Sequence, residues 1–379
     1  MAEIHGRADA RLAPVKEVLA EQLDHGDELG ASIVVDVEGE TLLDVWGGWC
    51  DTAKTEPWAE DTIVNVWSTT KTVTTLAALV CVDRGLLDPY EKVASYWPEF
   101  GENGKDQIEV RPLMSHTSGV SGWEQPVVTE DMYDWDTSTA RLAAQAPWWE
   151  PGTASGYHAQ NQGHLVGEVV RRVSGRHLKQ FVAEEITEPL GADFQVGAAE
   201  EDWDRIAPVV PPPPLAIDIA AIDPESPMFK TFTGPAADAG SANTAAWRRA
   251  DMGAINGHGN ARSVAQVLRT LALGGESGGV RLLSQDTIDL VFDEQSHGPD
   301  LVLGVSLRFG IGMALPETET LPYVPQGKAC YWGGWGGSVI ICDLDSRTTI
   351  SYMMNRMAAG IIGSDRSQAY VTAIHDCLA

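Results

Sequence analysis

The sequence predicts an α/β (α+β) fold, in which an antiparallel sheet is flanked by helices and joined to a mainly helical subdomain. Three observations predict it. Two hairpin patterns lie at opposite ends of the chain, Ala31–Val37 with Thr41–Trp46 and Gly337–Cys342 with Thr348–Met354. Between them runs a long stretch of helical periodicity, interrupted by polar and proline-rich segments. A terminal helix from Arg366 to Leu378 then closes the chain, so a single sheet in which both ends meet accommodates all three. On this reading residues 1–379 are one unit. Residues 1–88 and 255–379 form its α/β part, and residues 89–254 form the mainly helical subdomain.

Taken in order, Met1–Leu23 reads as an amphipathic helix with Leu12, Val15, Val18, Leu19 and Leu23 on one side. It lacks the apolar stretch of a signal peptide, and no segment approaches the ~18 consecutive apolar residues of a membrane span. The first hairpin turns through Glu38-Gly39-Glu40. A second helix follows Ser68-Thr69-Thr70-Lys71, with Val73, Leu76, Ala77, Ala78, Leu79, Val80, Cys81 and Val82 too apolar for a surface position. It stops at Asp83-Arg84-Gly85, where Gly85 suits the residue after the cap. The middle holds helices over Gly163–Val173 and His177–Ile186. The aperiodic segment Pro208–Ala245, with its break at Pro211–Pro214, is expected to wall a pocket, because loops that long are usually functional or disordered. The second hairpin turns at Asp343–Ser346.

Composition narrows the partners. Against 26 basic residues stand 54 acidic ones, a formal net charge of −28, which repels nucleic acid and anionic membranes. Five cysteines at irregular spacing show no zinc pattern and sit in apolar runs, as buried thiols do. The nine histidines have no metal-ligand spacing, and no phosphate-binding glycine loop is present. No metal or cofactor is expected. A cytoplasmic protein acting on a small molecule is, with its oligomeric state left open by the sequence.

Ser68 and Lys71 carry the first chemical signal. At i and i+3 they share one helix face, about 5–6 Å apart at Cβ, so the amine reaches back to the hydroxyl. A serine needs an adjacent base to attack, and a lysine serves only when neutral, as desolvation makes it. The Ser68 N–H at the helix start also suits a developing oxyanion. Tyr157 follows Pro151-Gly152 on a loop feeding the next helix. Near a lysine ammonium its pKa would fall toward that of a general base, although a half-buried core tyrosine fits the same pattern. Trp332-Gly333-Gly334-Trp335 leads into the strand Val339–Cys342, where glycines admit a close backbone approach or turn a corner. His158 adjoins Tyr157 and is a candidate pocket contact. Trp123, Tyr133, Trp135, Trp148 and Trp149 either line an apolar acyl pocket or simply pack. His116 and His258 lie in loops and suit structural hydrogen bonds.

Gly275-Glu276-Ser277-Gly278-Gly279 competes as a G-x-S-x-G pattern, but that motif needs a strand before it and a helix after it. Here a helical run, Ser263–Leu273, precedes it and Gly274-Gly275 reads as the helix cap. Its context is inverted.

Ser68-Thr-Thr-Lys71, Leu113-Met-Ser-His-Thr-Ser-Gly119, Pro151-Gly152 with Tyr157, Asn256–Ser263 and Trp332-Gly-Gly334 stand in an order that resembles the serine β-lactamase and penicillin-binding-protein superfamily. The chain looks most like the family VIII carboxylesterases and their class C β-lactamase relatives. The resemblance covers nearly the whole chain and implies a β-lactamase-like fold. It also implies hydrolysis of a small-molecule carboxylic ester through an acyl-enzyme on Ser68. Lys71 and Tyr157 would share the base and acid roles, and the Ser68 and Trp335 N–H groups would form the oxyanion hole. Two departures from the β-lactamases matter. Ala159 stands where they carry asparagine, and Trp332 where they carry a lysine that attracts a substrate carboxylate. Tryptophan offers an apolar wall and an indole N–H instead, so Trp332, Gly333, Gly334 and His158 are expected to contact a neutral ester. An amide-directed relative, whether a β-lactamase or a D-stereospecific peptidase, would use the same residues, as would an acyltransferase. A non-catalytic binding protein would not need Ser68, Lys71 and Tyr157 together.

Overall fold

The computed structural model describes residues 2–214 and 221–379. Met1 and the part of the aperiodic Pro208–Ala245 segment at 215–220 lie outside those residues. Nine strands form one antiparallel sheet. Its order is Ile4–Ala8, Glu40–Gly48, Gly30–Val37, Thr348–Met354, Val339–Asp343, Ala329–Gly333, Ala314–Leu315, Ser306–Phe309 and Ser296–Pro299. The two hairpins meet at its centre, where Thr348 pairs with Val37 and Met354 with Ala31. Glu38 and Gly39 both adopt positive φ, 52° and 89°, the turn geometry that follows the twist of the paired strands.

The central strands Gly30–Val37 and Thr348–Met354 are buried at nearly every position, so the sheet is covered on both faces. The helix Ala261–Ala272 packs across the sheet centre, while Ala13–His25 packs on the first edge and against Asp365–Leu378. The helix Thr70–Asp83 is buried from Thr70 through Cys81 and lies against Gln162–Ser174. Arg84 caps it, and Gly85 follows with φ of 68°. A three-stranded ribbon of Val64–Asn65, Gly257–Gly259 and Gln195–Val196 ties together segments far apart in sequence just before Ser68.

Two local expectations change, while the reading of Ser277 as no nucleophile elbow stands. Ile4–Ala8 is an edge strand paired with Glu40–Gly48, and the first helix runs only over Ala13–His25. Asp9 accepts from the Arg11 N–H, and Pro14 favours a helix start there and nowhere earlier. The predicted helix His177–Ile186 is three pieces: Leu178–Val182, a wider π turn at Ala183–Thr187, and Glu188–Leu190. Glu276–Ser277 and Val280–Arg281 form a tight hairpin around Gly278 and Gly279, both at positive φ. Ser277 is buried there, its hydroxyl accepting from Arg269 Nε at 2.7 Å, so it opens no elbow.

Candidate active site

Ser68 projects from a turn held by its own neighbours. Trp67 takes φ of 53°, a left-handed conformation that a bulky side chain adopts at a cost of about 1–2 kcal/mol. The surrounding structure enforces it. Val66 N–H donates to Gly257 at 2.8 Å, and Gly257 N–H donates to the Thr70 hydroxyl at 2.8 Å. The Ser338 hydroxyl lies 3.0 Å from that of Thr69 and donates to the Val66 carbonyl at 3.1 Å. The Trp67 ring is gripped edge-on between Trp247 and Trp335, with centroids 5.4 and 5.1 Å away. Helix geometry starts at Thr70, two residues after Ser68.

Lys71 is 2% exposed, and its Nζ has three neighbours: Ser68 Oγ at 3.0 Å, the Ala159 carbonyl at 2.7 Å and the Ala254 carbonyl at 3.0 Å. No carboxylate pairs with it among the described residues. Burial without a counter-ion pushes its pKa well below that of an ordinary lysine. Carbonyl oxygens only accept, so the two of them take the two N–H bonds of a neutral amine. The lone pair is then left for Ser68. Ala159, where the resemblance would place an asparagine side chain, contributes its backbone carbonyl.

Tyr157 is buried, with its backbone N–H donating to Asp300 Oδ1 at 3.0 Å and its ring centroid 4.8 Å from Lys71 Nζ. Its phenol oxygen accepts from Trp332 Nε1 at 3.1 Å. Burial drives the phenol pKa upward, and the hydrogen bonds with Ser68 and Trp332 oppose only part of that rise. The expectation of a lowered tyrosine pKa is therefore corrected. It required a charged lysine alongside, and desolvation drives that lysine toward its neutral form.

A cavity of about 470 Å³ opens onto Ser68, Tyr157 and Trp335. The long segment forms much of its wall through Pro211–Pro214, Met228, Phe229, Phe232 and Ala236–Ala239, as the sequence suggested. Trp67, Met132, Trp247 and Leu303 complete the apolar surface. No lysine, arginine or histidine lines it among the described residues, and Asp238, exposed, is the one carboxylate.

Several predicted contacts lie elsewhere. Trp332 is buried behind Tyr157, packed on Phe309 and His116, and is not part of the cavity wall. His158 is also off the wall and fully buried. Its Nε2 is 2.6 Å from the Ser118 hydroxyl and its Nδ1 2.7 Å from the Gly156 carbonyl, and burial lowers its pKa to about 3. Gly333 and Gly334 are buried against the strand and the Ser68 turn. A Cβ on Gly334 would meet the Val66 carbonyl and the Ser338 hydroxyl, so close approach explains that glycine. None of the five clustered aromatics lines the cavity. Trp123 and Trp135, for example, pack around His164. Trp335 does reach the cavity, and neither its N–H nor that of Ser68 has another acceptor among the described residues. Among the described residues no His, Cys, Asp or Glu side chains group in threes as a metal site would. Gln160, Asp300 and Ser338 escaped the sequence reading, since nothing local distinguishes them from ordinary polar residues.

A family model described as Beta-lactamase matches residues 15–369. The chain is 31% identical over 375 residues to Esterase/beta-lactamase LipL of Mycobacterium tuberculosis (strain ATCC 25618 / H37Rv), covering 96% of this chain and 86% of that protein. Among solved structures it superposes on a family VIII carboxylesterase with a TM-score of 0.92 and 37% identity, over 99% of this chain and 100% of the other. A penicillin-binding protein homolog from Caulobacter crescentus follows with a TM-score of 0.91 and 33% identity, again over 99% and 100%.

Proposed function

The chain belongs to the Beta-lactamase family, and from that premise we propose that it is a serine hydrolase cleaving neutral carboxylic esters through an acyl-enzyme. The observation that carries the reading is the set of acceptors around Lys71. Two carbonyls occupy its N–H bonds and Ser68 occupies the remaining direction, so the amine is oriented to take the serine proton.

In the first half-reaction Ser68 Oγ attacks the ester carbonyl carbon while its proton passes to Lys71 Nζ. The oxyanion is held by the Ser68 and Trp335 N–H groups. Collapse breaks the bond to the alkoxide, which takes its proton from Tyr157. The phenolate so formed is stabilised by the Lys71 ammonium beside its ring and by the Trp332 indole N–H. Because the indole N–H can only donate, it fixes the phenol oxygen as an acceptor on that side and leaves the O–H free to turn toward Ser68. The ammonium then returns its proton to the phenolate. Water attacks the acyl-enzyme by the reverse sequence, releasing the acid and restoring Ser68.

Preference for neutral esters rests on the cavity wall. A substrate carboxylate would lose hydration there without meeting a cation, and the net charge of −28 repels it at long range. Steady-state kinetics on one neutral ester and one cephalosporin, with the adduct of a fluorophosphonate mapped by mass spectrometry, tests the reading. We expect labelling at Ser68, a large preference for the ester, and loss of about 10⁴–10⁶ in kcat in Ser68→Ala. An adduct on Ser277 would overturn the nucleophile, and a preference for the cephalosporin would put the amide-directed reading in its place.

A further inference from the structure

Among the polar side chains that line the cavity and that the mechanism does not use, those of Thr129, Gln160, Thr233, Asp238 and Ser241, Gln160 alone is buried. Gln160 follows Ala159, whose carbonyl holds Lys71, and its side chain lines the same cavity as Ser68 and Tyr157 while remaining only 8% exposed. Its Nε2 donates to the Pro235 carbonyl at 2.8 Å. A carbonyl cannot donate, so the two ends of this amide are not interchangeable: nitrogen faces Pro235 and Oε1 is turned away from it. Pro235 is buried and immediately precedes the wall residues Ala236–Ala239, so this bond ties the glutamine to the wall. Among the described residues no donor satisfies Oε1, which is not one of the sealed, unpartnered atoms of the core, and Gln160 is part of the cavity wall. The lining is mostly apolar, with Met132, Phe229 and Phe232 among it.

An acceptor held in place within an apolar cavity discriminates by what it lacks. When a substrate displaces water from the cavity, Oε1 loses its solvent partner and recovers a hydrogen bond only if the substrate brings a donor. We infer that Gln160 Oε1 is a specificity-determining acceptor, and that the preferred substrates are neutral esters bearing a hydroxyl or amide N–H on the part that fills the cavity. This rests on the ester-hydrolase reading. It adds a chemical requirement that neither Ser68 nor Lys71 imposes, since both act on the ester carbon and its bound oxygens. Charged donors are a separate matter, because an ammonium group would be drawn to Asp238 at the exposed rim and not to a neutral amide.

The test uses matched pairs of neutral esters, each pair differing by one hydroxyl placed at successive positions of the acyl chain or of the alcohol. With the native enzyme, at least one pair should favour the hydroxylated member in kcat/KM by on the order of 10–100-fold, carried mainly by KM. In Gln160→Met, which keeps the length and removes the acceptor, the ratio for that pair should fall to about one. Fluorophosphonate labelling of Ser68 in the variant serves as the check that it is folded. If the native enzyme turns over both members of every pair within about threefold of each other, the inference is overturned while the esterase reading stands. Retention of the preference in Gln160→Met overturns it as well. Hydrolysis of no ester at all would instead sink the reading on which it rests.

Discussion

Lys71 and Lys105 are both buried, and both have three oxygen neighbours on Nζ. Around Lys105 the three are carbonyls, those of Glu102 at 2.9 Å, Ala143 at 3.0 Å and Gln145. Around Lys71 two are carbonyls and the third is the Ser68 hydroxyl. Three carbonyls need three N–H bonds, which only the ammonium possesses. Burial lowers the Lys105 pKa to about 8, with the Glu102 carboxylate opposing part of the fall. Lys71, where the third neighbour can donate as well as accept, suits the neutral amine, and its pKa is pushed well below the ordinary value. Burial is shared. What separates a structural lysine from a candidate base is whether one of its neighbours has a proton to give.

The largest effect should come from removing each amine in turn. Lys71→Met should lower kcat/KM for a neutral ester by about 10²–10⁴, the usual scale of a lost general base. Lys105→Met should leave kcat/KM within about threefold and instead cost roughly 1–3 kcal/mol of stability, because three carbonyls lose their donor. Ester kinetics and urea melts on both variants measure this. Comparable loss of activity in the two would end the distinction drawn from their neighbours.

The same contrast explains what was legible in the sequence. The Ser68–Lys71 relation is local, three residues apart near a helix start, and hairpins announce themselves by alternation and turn residues. The edge strand Ile4–Ala8 gave no such signal: its three central residues are exposed, and its partner Glu40–Gly48 lies some forty residues away. Trp332 was read as a wall because a strand pattern does not say what lies behind each face. In space it stands behind Tyr157, whose phenol it holds. The Ala159 and Ala254 carbonyls, and the acceptor on Gln160, were invisible because backbone groups and long-range packing leave no residue-type signature. The Pro211–Pro214 wall was legible only as an absence of periodicity.

A second comparison concerns the two groups on Tyr157. Tyr157→Phe deletes the proton donor for the leaving alkoxide and should lower kcat by about 10²–10⁴, most for esters of poorly acidic alcohols and least for a nitrophenyl ester. Trp332→Phe deletes only the indole hydrogen bond to the phenol, so a loss of up to about tenfold is expected, the scale of one hydrogen bond. Measuring both variants across alcohols of graded acidity separates the roles. If Trp332→Phe proves as damaging as Tyr157→Phe and equally so for every alcohol, the tryptophan is doing more than orienting the phenol.

The smallest effect is in the pH dependence of stability, and it has a definite sign. The Lys105 ammonium is disfavoured in the folded protein, where its pKa is about 8, relative to about 10.4 in the unfolded chain. Below pH 8 both states carry the proton, and the fold bears the full cost of burying the charge. Between about pH 8 and 10.4 the unfolded state binds more protons than the folded one, so this residue makes stability rise with pH. The full shift corresponds to at most about 3 kcal/mol. Lys71 contributes in the same direction, as do other groups, so the informative quantity is the difference between the native protein and Lys105→Met. That difference should be constant below pH 8 and then shift in favour of the native protein as pH increases, visible in urea melts taken from pH 7 to 10.5. Curves that stay parallel throughout would mean that the amine keeps its ordinary pKa. The three carbonyls would then offset the burial of the ammonium completely, and the contrast with Lys71 would be wider than the direction of its pKa already makes it.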